Sequence, residues 1–250
     1  MTERLGREGG QRTGAEGESA RIVARLFDES SDPTQVKLTD IAKWARRQDI
    51  TSFLARYEIF KQALPVKGSI VECGVFRGSG LMTWAKLSAV LEPNNLTRRI
   101  YGFDTFEGFP SVSDKDQTSG GGAEEGEFQV LSAHNELREL IRAYDMDRFL
   151  GHVDKVHLIK GDATKTIPTF LEESPHLLVS LLFLDFDLYE PTKVALEHLL
   201  PRMPRGAIIA FDELDNPSWP GETLAMLDNI RSFRLERLEF DPYKAYAVLE

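Results

Sequence analysis

Two stretches, LLFLDFDLYE at residues 181–190 and GAIIAFDELD at residues 206–215, are the most informative part of this sequence. Each begins as an apolar run that is typical of a buried strand, and each ends abruptly in acids. A buried carboxylate costs free energy unless it is paired, protonated or bound to a cation. Two acidic clusters at the ends of consecutive buried strands therefore predict a divalent metal site, at the edge of an α/β sheet where ligands bind.

Other apolar runs precede these two, and helical patterns separate them. The runs are 69–75, 99–104, 155–163, 178–185 and 207–213, and the helical patterns are 79–91, 132–148, 164–173 and 191–203. This alternation of apolar strands and helices predicts a doubly wound, mostly parallel sheet that is covered on both faces. Residues 233–240 and 244–250 alternate polar and apolar side chains, which predicts an antiparallel C-terminal hairpin with its turn at Asp241–Pro242.

Three segments differ from the strand–helix pattern. Residues 1–18 hold five glycines and alternating charges, which indicates a disordered tail. Residues 19–66 have helical spacing of apolar side chains and predict a helical N-terminal cap on a domain of residues 67–250. Residues 111–131 contain three consecutive glycines and few apolar anchors. Their place after the second strand favours a mobile lid over the ligand-binding edge, with an ordinary disordered insertion as the alternative.

Composition narrows the class of protein. At 250 residues and 42% hydrophobic content, the chain suits one large α/β domain. Its formal charge of −10 argues against binding to nucleic acid. A single cysteine, Cys73, excludes an intrachain disulfide and fits a cytoplasmic location. We expect no membrane span and no signal peptide, because no apolar stretch reaches 18 residues and the N-terminus has no apolar core.

The first strand runs into a glycine-containing turn, VECGVFRGSG at residues 71–80. Glycines between a strand and a helix let a ligand approach the backbone closely. The spacing is not the dinucleotide-binding G-x-G-x-x-G, and the carboxylate of Glu72 would oppose a pyrophosphate at the helix N-terminus. A ligand with positive charge or hydroxyl donors suits this turn better, and S-adenosylmethionine has a sulfonium and an ammonium group.

Acids also end the second and third strands. Asp104 is placed to accept the ribose hydroxyl protons of a nucleoside, and Asp162 could accept a hydrogen bond from an adenine amino group. Taken singly, each acid is more often a helix N-cap or a solvated loop residue. Taken together, and following a glycine turn, these acids favour a binding site for an adenosyl cofactor. The candidate cofactor-binding residues are Glu72, Gly74, Arg77, Gly78, Ser79, Asp104, Thr105, Phe106, Asp162 and Ala163.

The acids of the opening stretches divide into two roles. Asp185, Asp212 and Glu213 are candidate Mg²⁺ ligands, and vicinal substrate oxygens could take further positions on the metal. A metal there would orient an acceptor hydroxyl and lower its pKa. Asp187 is then the candidate general base. The alternative for Asp187 is a helix N-cap that forms a capping box with Glu190.

At these residues the chain resembles the macrocin O-methyltransferase family. The resemblance covers roughly residues 50–250 and is carried by VECGVFRG (71–78), YGFDTFEGFP (101–110), LDFDLYEPT (184–192) and FDEL (211–214). It implies a Rossmann-like class I methyltransferase fold, S-adenosylmethionine and Mg²⁺ as cofactors, and a homo-oligomer. The roles it implies are metal ligation by Asp185 and Asp212, a base at Asp187, ribose binding by Asp104 and adenine binding by Asp162. The family's last strand usually ends in Asp-Asp, whereas here Glu213 follows Asp212.

The residues and the resemblance predict a Mg²⁺- and S-adenosylmethionine-dependent O-methyltransferase. The expected acceptor is a small molecule, a glycosylated secondary metabolite of the antibiotic type that offers a deoxysugar hydroxyl. Two alternatives remain open. The sequence Asp185-Phe186-Asp187 superficially resembles the Asp-x-Asp of phosphatases with an aspartyl nucleophile, which would make the chain a metal-dependent hydrolase. A non-catalytic homologue would keep the fold and bind ligand without turnover.

Overall fold

The computed structural model describes residues 13–118, 121–230 and 234–250. The chain divides between Leu54 and Ala55 into two units. The N-terminal unit consists of helices α1 (Gly14–Glu29), α2 (Thr34–Thr39) and α3 (Ile41–Trp44) and the first part of α4 (Arg47–Ala63). Helix α1 starts inside the segment predicted to be a disordered tail, because Thr13 and Glu16 form a capping box. The rest of that segment, residues 1–12, lies outside the described residues.

The C-terminal unit is built on a sheet whose order, within the described residues, is β5-β2-β1-β6-β7-β9-β8. The strands are β1 (Ser69–Cys73), β2 (Ile100–Asp104), β3 (Gln117–Thr118), β4 (Gly121–Gly122), β5 (Val156–Lys160), β6 (Val179–Leu184), β7 (Ile208–Phe211), β8 (Glu236–Leu238) and β9 (Asp241–Val248). The strands from β5 to β7 in this order run parallel. Strand β9 runs antiparallel to both β7 and β8, and β3 pairs with β4 apart from this sheet.

Helices connect the parallel strands, so the predicted doubly wound α/β sheet with a C-terminal antiparallel hairpin is confirmed. The helices are α5 (Ser79–Leu91), α6 (Ala133–Asp147), α7 (Ala163–Glu173), α8 (Tyr189–Leu199) and α9 (Pro220–Asn229). In the described part of the chain, no helix is long and apolar enough to cross a membrane. The position of the hairpin turn was wrong, because it lies at residues 239–240 and Asp241 already belongs to β9. Asp241 is buried and pairs with Lys244, which holds it in the strand.

Apolar layers cover both faces of the sheet, as period-two strands require. Alternate residues of β1 illustrate the division, since Ile70 packs with Trp84 and Phe183 in one cluster. Val71 packs with Leu182 in the other cluster. Glu72 points to the same side as Ile70, so its carboxylate enters an apolar layer.

The carboxyl ends of the strands are aligned in one row. Phe103 pairs with Cys73, Cys73 with Leu184, Leu184 with Phe211, and Phe211 with Ala245 of the antiparallel β9. The next row therefore brings together Asp104, Gly74, Asp185, Asp212 and Lys244. The strand order reverses at β1 and β6, and ligands of open α/β sheets bind at such a switch point.

Candidate active site

The turn after β1 is a close crossing of the chain with itself. Gly74, at φ 94°, lies so near β6 that a Cβ would stand 1.9 Å from the carbonyl oxygen of Asp185. At Gly78, φ 85°, a Cβ would stand 2.1 Å from the side chain of Leu137. The chain itself therefore requires glycine at both positions. Because contacts within the chain already account for both glycines, cofactor contact by Gly74 and Gly78 remains a prediction.

Asp104 clamps this turn to the loop after β2. Its Oδ2 accepts the backbone N–H groups of Val75 (2.8 Å) and Phe76 (2.7 Å), and its Oδ1 accepts that of Phe106 (2.6 Å). Phe76 and Phe106 have left-handed φ angles of 51° and 56°, which are uncommon for bulky residues. A carboxylate has about four acceptor positions. One position on Oδ1 is left for a ligand hydroxyl, so the ribose role of Asp104 remains a prediction.

The other candidates on these two turns differ in exposure. Arg77 and Ser79 are exposed at the start of α5. The Phe106 side chain is buried in the apolar core, which leaves its backbone as the part nearest the turn. Thr105 donates its hydroxyl to the carbonyl of Gly108 at 2.6 Å and so shapes its own loop. The contacts of Arg77, Ser79, Thr105 and Phe106 with a cofactor remain predictions.

Asp162 is the N-cap of α7. Its Oδ1 accepts the backbone N–H of Thr164 at 3.0 Å and the hydroxyl of Thr164 at 2.7 Å, and Lys165 Nζ lies 2.9 Å from Oδ2. Burial favours the neutral acid, but the hydrogen bonds from Thr164 and Lys165 outweigh it and lower the pKa of Asp162. Ala163 follows as the buried first residue of the helix. The capping alternative therefore holds for Asp162, and its contact with adenine remains a prediction.

Glu72 lies inside the protein beside Arg56, a residue of α4 that the sequence did not single out. The Glu72 side chain is 1% exposed, and its Oε1 lies 3.9 Å from Arg56 Nη2. Burial raises the pKa of Glu72 to about 8, although the charge of Arg56 opposes the shift. The same Nη2 atom is 3.8 Å from Asp185 Oδ2, and the guanidinium packs on the ring of Phe183. Arg56 therefore links an acid of β1 to the acid that follows β6.

Asp185 and Asp212 lie at the ends of neighbouring strands, and their charges affect each other. Lys244 Nζ lies 3.1 Å from Asp212 Oδ1. Burial opposes ionisation of Asp212, but Lys244 outweighs it and lowers the pKa of Asp212. Burial raises the pKa of Asp185 well above its usual range, and the charges of Asp212 and Asp187 add to the shift. Asp185 is therefore the member of this pair that holds a proton more readily.

Asp187 is not a helix cap, so the capping-box alternative is wrong. Helix α8 begins at Tyr189, its N-cap residue is Leu188, and no side chain of the cap residue bonds to it. Asp187 has a left-handed φ of 61° instead. The backbone N–H of Tyr189 donates to Asp116 Oδ1 at 2.6 Å, so an acid from the predicted lid caps this helix. The charge of the Asp187 carboxylate helps to raise the pKa values of Asp185 and Glu222.

The described part of the predicted lid is tied to α8 and α9. Asp116 is buried, and its Oδ2 accepts the backbone N–H and the hydroxyl of Ser113 at 2.8 and 2.6 Å. Lys115 Nζ lies 2.6 Å from Asp228 Oδ2 on α9. An apolar cluster of Phe109, Val112, Ala123, Phe128, Leu188 and Trp219 closes the segment. The described part of the segment therefore packs beside Asp187, and the mobility of the lid remains a prediction.

Glu222, near the start of α9, is a buried acid that sequence reasoning missed. It is 0% exposed, its Oε1 accepts the backbone N–H of Glu213 at 3.4 Å, and its Oε2 has no hydrogen-bond partner among the described residues. Burial, and then the charges of Asp187 and Asp212, raise its pKa well above the usual range. Glu213 itself accepts a 2.6 Å hydrogen bond from Asn216 on Oε2. An acid in a helix's first turn is ordinarily solvated, so no sequence signal marked Glu222.

We call Asp185, Asp187, Asp212, Glu213 and Glu222 the acidic cluster, and their carboxylate oxygens are donors of the type that binds a divalent cation. All the donors are hard oxygens, which Mg²⁺ prefers. Their mutual repulsion, and the unpartnered Oε2 of Glu222, are costs that a cation would relieve. Within the described residues, no three His, Cys, Asp or Glu side chains are arranged so that they could hold a metal ion. Metal ligation by Asp185, Asp212 and Glu213 therefore remains a prediction.

A family model described as macrocin O-methyltransferase (TylF) matches residues 28–235. This chain belongs to the macrocin O-methyltransferase family. A curated relative from Streptomyces olivaceus is the 8-demethyl-8-(2,3-dimethoxy-α-L-rhamnosyl)-tetracenomycin-C 4′-O-methyltransferase. It is 33% identical over 153 residues, and the match covers 59% of this chain and 53% of that protein. The chain thus spans about half the length of the curated relatives it matches.

Two solved structures of CalS11 are similar to this family member over nearly its whole length. One, described as a calicheamicin methyltransferase, has a TM-score of 0.91 and 38% identity and covers 95% of this chain and 94% of CalS11. The other is the apo form, described as a TDP-rhamnose 3′-O-methyltransferase in calicheamicin biosynthesis. It has a TM-score of 0.82 and 35% identity and covers 95% and 96% of the two chains. These similarities confirm the predicted Rossmann-like class I methyltransferase fold.

Proposed function

We propose that this macrocin O-methyltransferase family member transfers a methyl group from S-adenosylmethionine to a sugar hydroxyl. The observation that carries the proposal is the row of strand ends that brings Asp185 and Asp212 beside the glycine turn at the switch point of the sheet. Methyl transfer needs an acceptor oxygen and a reactive methyl group in one place. A glycine turn next to acids is suited to hold a nucleoside-type donor and a hydroxyl acceptor together.

The acceptor that we propose is a rhamnose-type deoxysugar on a small glycosylated natural product. The tetracenomycin relative is named for a rhamnosyl-bearing acceptor, and one CalS11 structure for TDP-rhamnose. The sugar is shared between these names, whereas the group attached to it differs. We therefore propose that a related site in this chain binds a deoxysugar and methylates one of its hydroxyls. The group that carries the sugar is to be identified by experiment.

Asp187 is the base in the proposed reaction. The acceptor oxygen forms a bond to the methyl carbon, the carbon–sulfur bond breaks to leave S-adenosylhomocysteine, and the hydroxyl proton passes to the Asp187 carboxylate. Asp104 contributes by holding the turns after β1 and β2 in one geometry. Asp185, Asp212 and Glu213 would hold Mg²⁺, which when bound supplies a Lewis acid that lowers the pKa of the acceptor hydroxyl.

Calorimetry with S-adenosylmethionine and S-adenosylhomocysteine tests the cofactor. If neither compound binds, the proposal is refuted. Incubation with labelled cofactor and a panel of acceptors tests the reaction. The panel pairs rhamnosylated aglycones with nucleotide-activated rhamnose, so that the carrier of the sugar is identified. Release of phosphate from generic phosphate esters, without methyl transfer, would instead support the hydrolase. Binding without turnover on any acceptor would support the non-catalytic homologue.

The metal has its own test. We expect Asp185→Ala and EDTA each to reduce methyl transfer strongly in the assay above. Undiminished transfer with this substitution and with EDTA present would show that the metal role is wrong, while the methyltransferase assignment would stand.

We propose further that the protein is a cytoplasmic homo-oligomer. Apolar side chains on the N-terminal helices are exposed, among them Leu26 (46%), Leu38 (62%) and Ile41 (52%). Burial of such surface is a common reason for association. Its one cysteine is a buried free thiol, as a reducing compartment allows. Light scattering after size exclusion measures the mass, and a monomer at micromolar concentration would contradict the oligomer.

A further inference from the structure

Lys244 is a buried cation that the proposed chemistry does not use. It lies on β9 in the register position opposite Asp212, because Ala245 pairs with Phe211. Its side chain is 8% exposed. Its Nζ lies 3.1 Å from Asp212 Oδ1 and 3.2 Å from Asp241 Oδ2. A buried ammonium is stable only with such partners, so the strand pairing itself delivers a positive charge to the acidic cluster.

The second carboxylate that contacts Lys244 belongs to Asp241, which is also buried and hydrogen-bonded. Asp241 is 4% exposed, and its Oδ1 accepts the backbone N–H groups of Tyr243 (3.1 Å) and Lys244 (3.4 Å). Asp241, Lys244 and Asp212 therefore form a line of alternating charge that is buried at Asp241 and Lys244 and ends in the cluster at the partly buried Asp212. Asp185 has a longer contact, 3.8 Å, with Arg56. Of these two acids, Asp212 has the shorter contact with a cationic side chain.

We propose that Lys244 is a built-in counter-ion of the acidic cluster, which holds the Asp212 carboxylate in the metal-free protein and competes with a divalent cation for it. This inference rests on the metal part of the proposed function. A cation bound to Asp212 would lie within a few ångströms of the ammonium, with little water between them to screen the repulsion. The site would therefore bind Mg²⁺ weakly enough for exchange, and the fold would keep its stability without metal.

Lys244→Met tests the competition, because methionine keeps the length of the side chain and removes the charge. Titration calorimetry of the full chain with MgCl₂, and with MnCl₂ as a second probe, should give a dissociation constant about tenfold lower in the variant than in the wild type. Thermal unfolding is the second readout. In EDTA the variant should melt below the wild type, and Mg²⁺ should restore it while moving the wild type little. Lys86→Met, an exposed change of equal charge on α5, should change neither result.

Asp241→Asn keeps the test possible if Lys244→Met does not fold. It leaves the ammonium in place but removes its second anion, so Lys244 should bind Asp212 more strongly and Mg²⁺ affinity should fall several-fold. Unchanged or weaker Mg²⁺ binding in Lys244→Met would overturn the inference, as would unchanged or tighter binding in Asp241→Asn. Absence of divalent binding in wild type and variants alike would also overturn it. Methyl transfer is measured separately, so its failure would refute the proposed function without altering the binding result.

Discussion

The turn after β1 and the acidic cluster lie at the same edge of the sheet, yet their polar atoms are satisfied in different ways. In the turn, the chain itself occupies the acceptors of Asp104 with three backbone N–H groups. In the cluster, carboxylates crowd one another, and Glu222 keeps an oxygen that no group of the described residues hydrogen-bonds. Compensation there comes from the buried side chains of Arg56 and Lys244.

An acid at the end of a strand can therefore have one of two roles. An acid whose lone pairs are taken by neighbouring backbone is mainly a clamp, and its removal should cost stability. An acid held among like charges stores an unfavourable interaction that a cation, a proton or a substrate hydroxyl can relieve. Its removal should reduce activity, and stability should also fall where the acid compensates a buried cation. Substitutions in the two regions can separate these behaviours.

Turnover should change most, through a substitution in the acidic cluster. Asp187→Asn removes the proposed base and keeps the shape of the side chain, so kcat for methyl transfer should fall about 10²- to 10⁴-fold. The dissociation constant for S-adenosylhomocysteine should stay within about twofold, as calorimetry can show. Glu190→Gln, the same charge change at an exposed neighbouring site on α8, is the control. Turnover retained in Asp187→Asn would assign the proton to another group.

The clamp should respond in the opposite way. Asp104→Ala leaves the N–H groups of Val75, Phe76 and Phe106 without their acceptor, and the free energy of unfolding should fall by about 3 kcal/mol. Chemical denaturation measures the loss. Glu107 lies on the loop that follows Asp104 and forms an exposed ion pair with Lys160 of β5, so Glu107→Ala should leave stability nearly unchanged. Equal effects of the two substitutions would remove the distinction between clamp and surface acid.

Glu72 should make stability depend on pH. Its pKa is about 8 in the folded chain against an ordinary value of 4.5, so between these values the folded state keeps a proton that the unfolded state releases. Stability should therefore fall as pH rises from about 4.5 to 8, by at most about 1.4 kcal/mol per pH unit. Glu72→Gln should reduce this slope in denaturation curves taken across the range, while the raised pKa values of Asp185 and Glu222 keep part of it. The exposed Glu197→Gln should leave the slope unchanged. The same slope in all three proteins would exclude Glu72 as its source.

The smallest expected effect is at Gly221, where α9 meets the segment of residues 111–131. A Cβ there would stand 2.1 Å from Asp116 Oδ1 and 2.5 Å from the backbone nitrogen of Tyr189, so Gly221→Ala should destabilise by about 1–2 kcal/mol. Gly17→Ala on α1 has open space around the new methyl group and should stabilise by up to about 1 kcal/mol. Thermal denaturation compares the two. An unchanged melting temperature in Gly221→Ala would show that Asp116 and Tyr189 can move apart at little cost in stability.

The fold followed from local patterns because apolar runs and helical spacing are properties of neighbouring residues. The meeting of Asp104, Asp185 and Asp212 also followed, since parallel strands bring their carboxyl ends to one edge. Lys244 did not, because its place opposite Asp212 depends on the register of an antiparallel pair, and a slip of one residue turns the side chain to the other face. The misplaced turn at Asp241–Pro242 hid the same lysine.

Burial of a single polar side chain was beyond the sequence for a different reason. Arg56 reaches the site from a helix that precedes the sheet, and Glu222 is in the first turn of α9, where an acid is usually solvated. Nor does a sequence show which lone pairs of Asp104 are taken by backbone from another loop. Such facts depend on packing between distant segments, which no local pattern encodes.

The hydrogen bond from Tyr189 to Asp116 joins residues 73 positions apart through one 2.6 Å contact. It makes the first turn of α8, two residues after Asp187, thermodynamically linked to the segment between β2 and α6. A ligand that orders this segment would also stabilise the start of α8, and a ligand that displaces it would release the Tyr189 N–H. The proposed base and the predicted lid would then respond to an acceptor as one cooperative element, and acceptors too small to touch the segment would leave Asp187 less well placed.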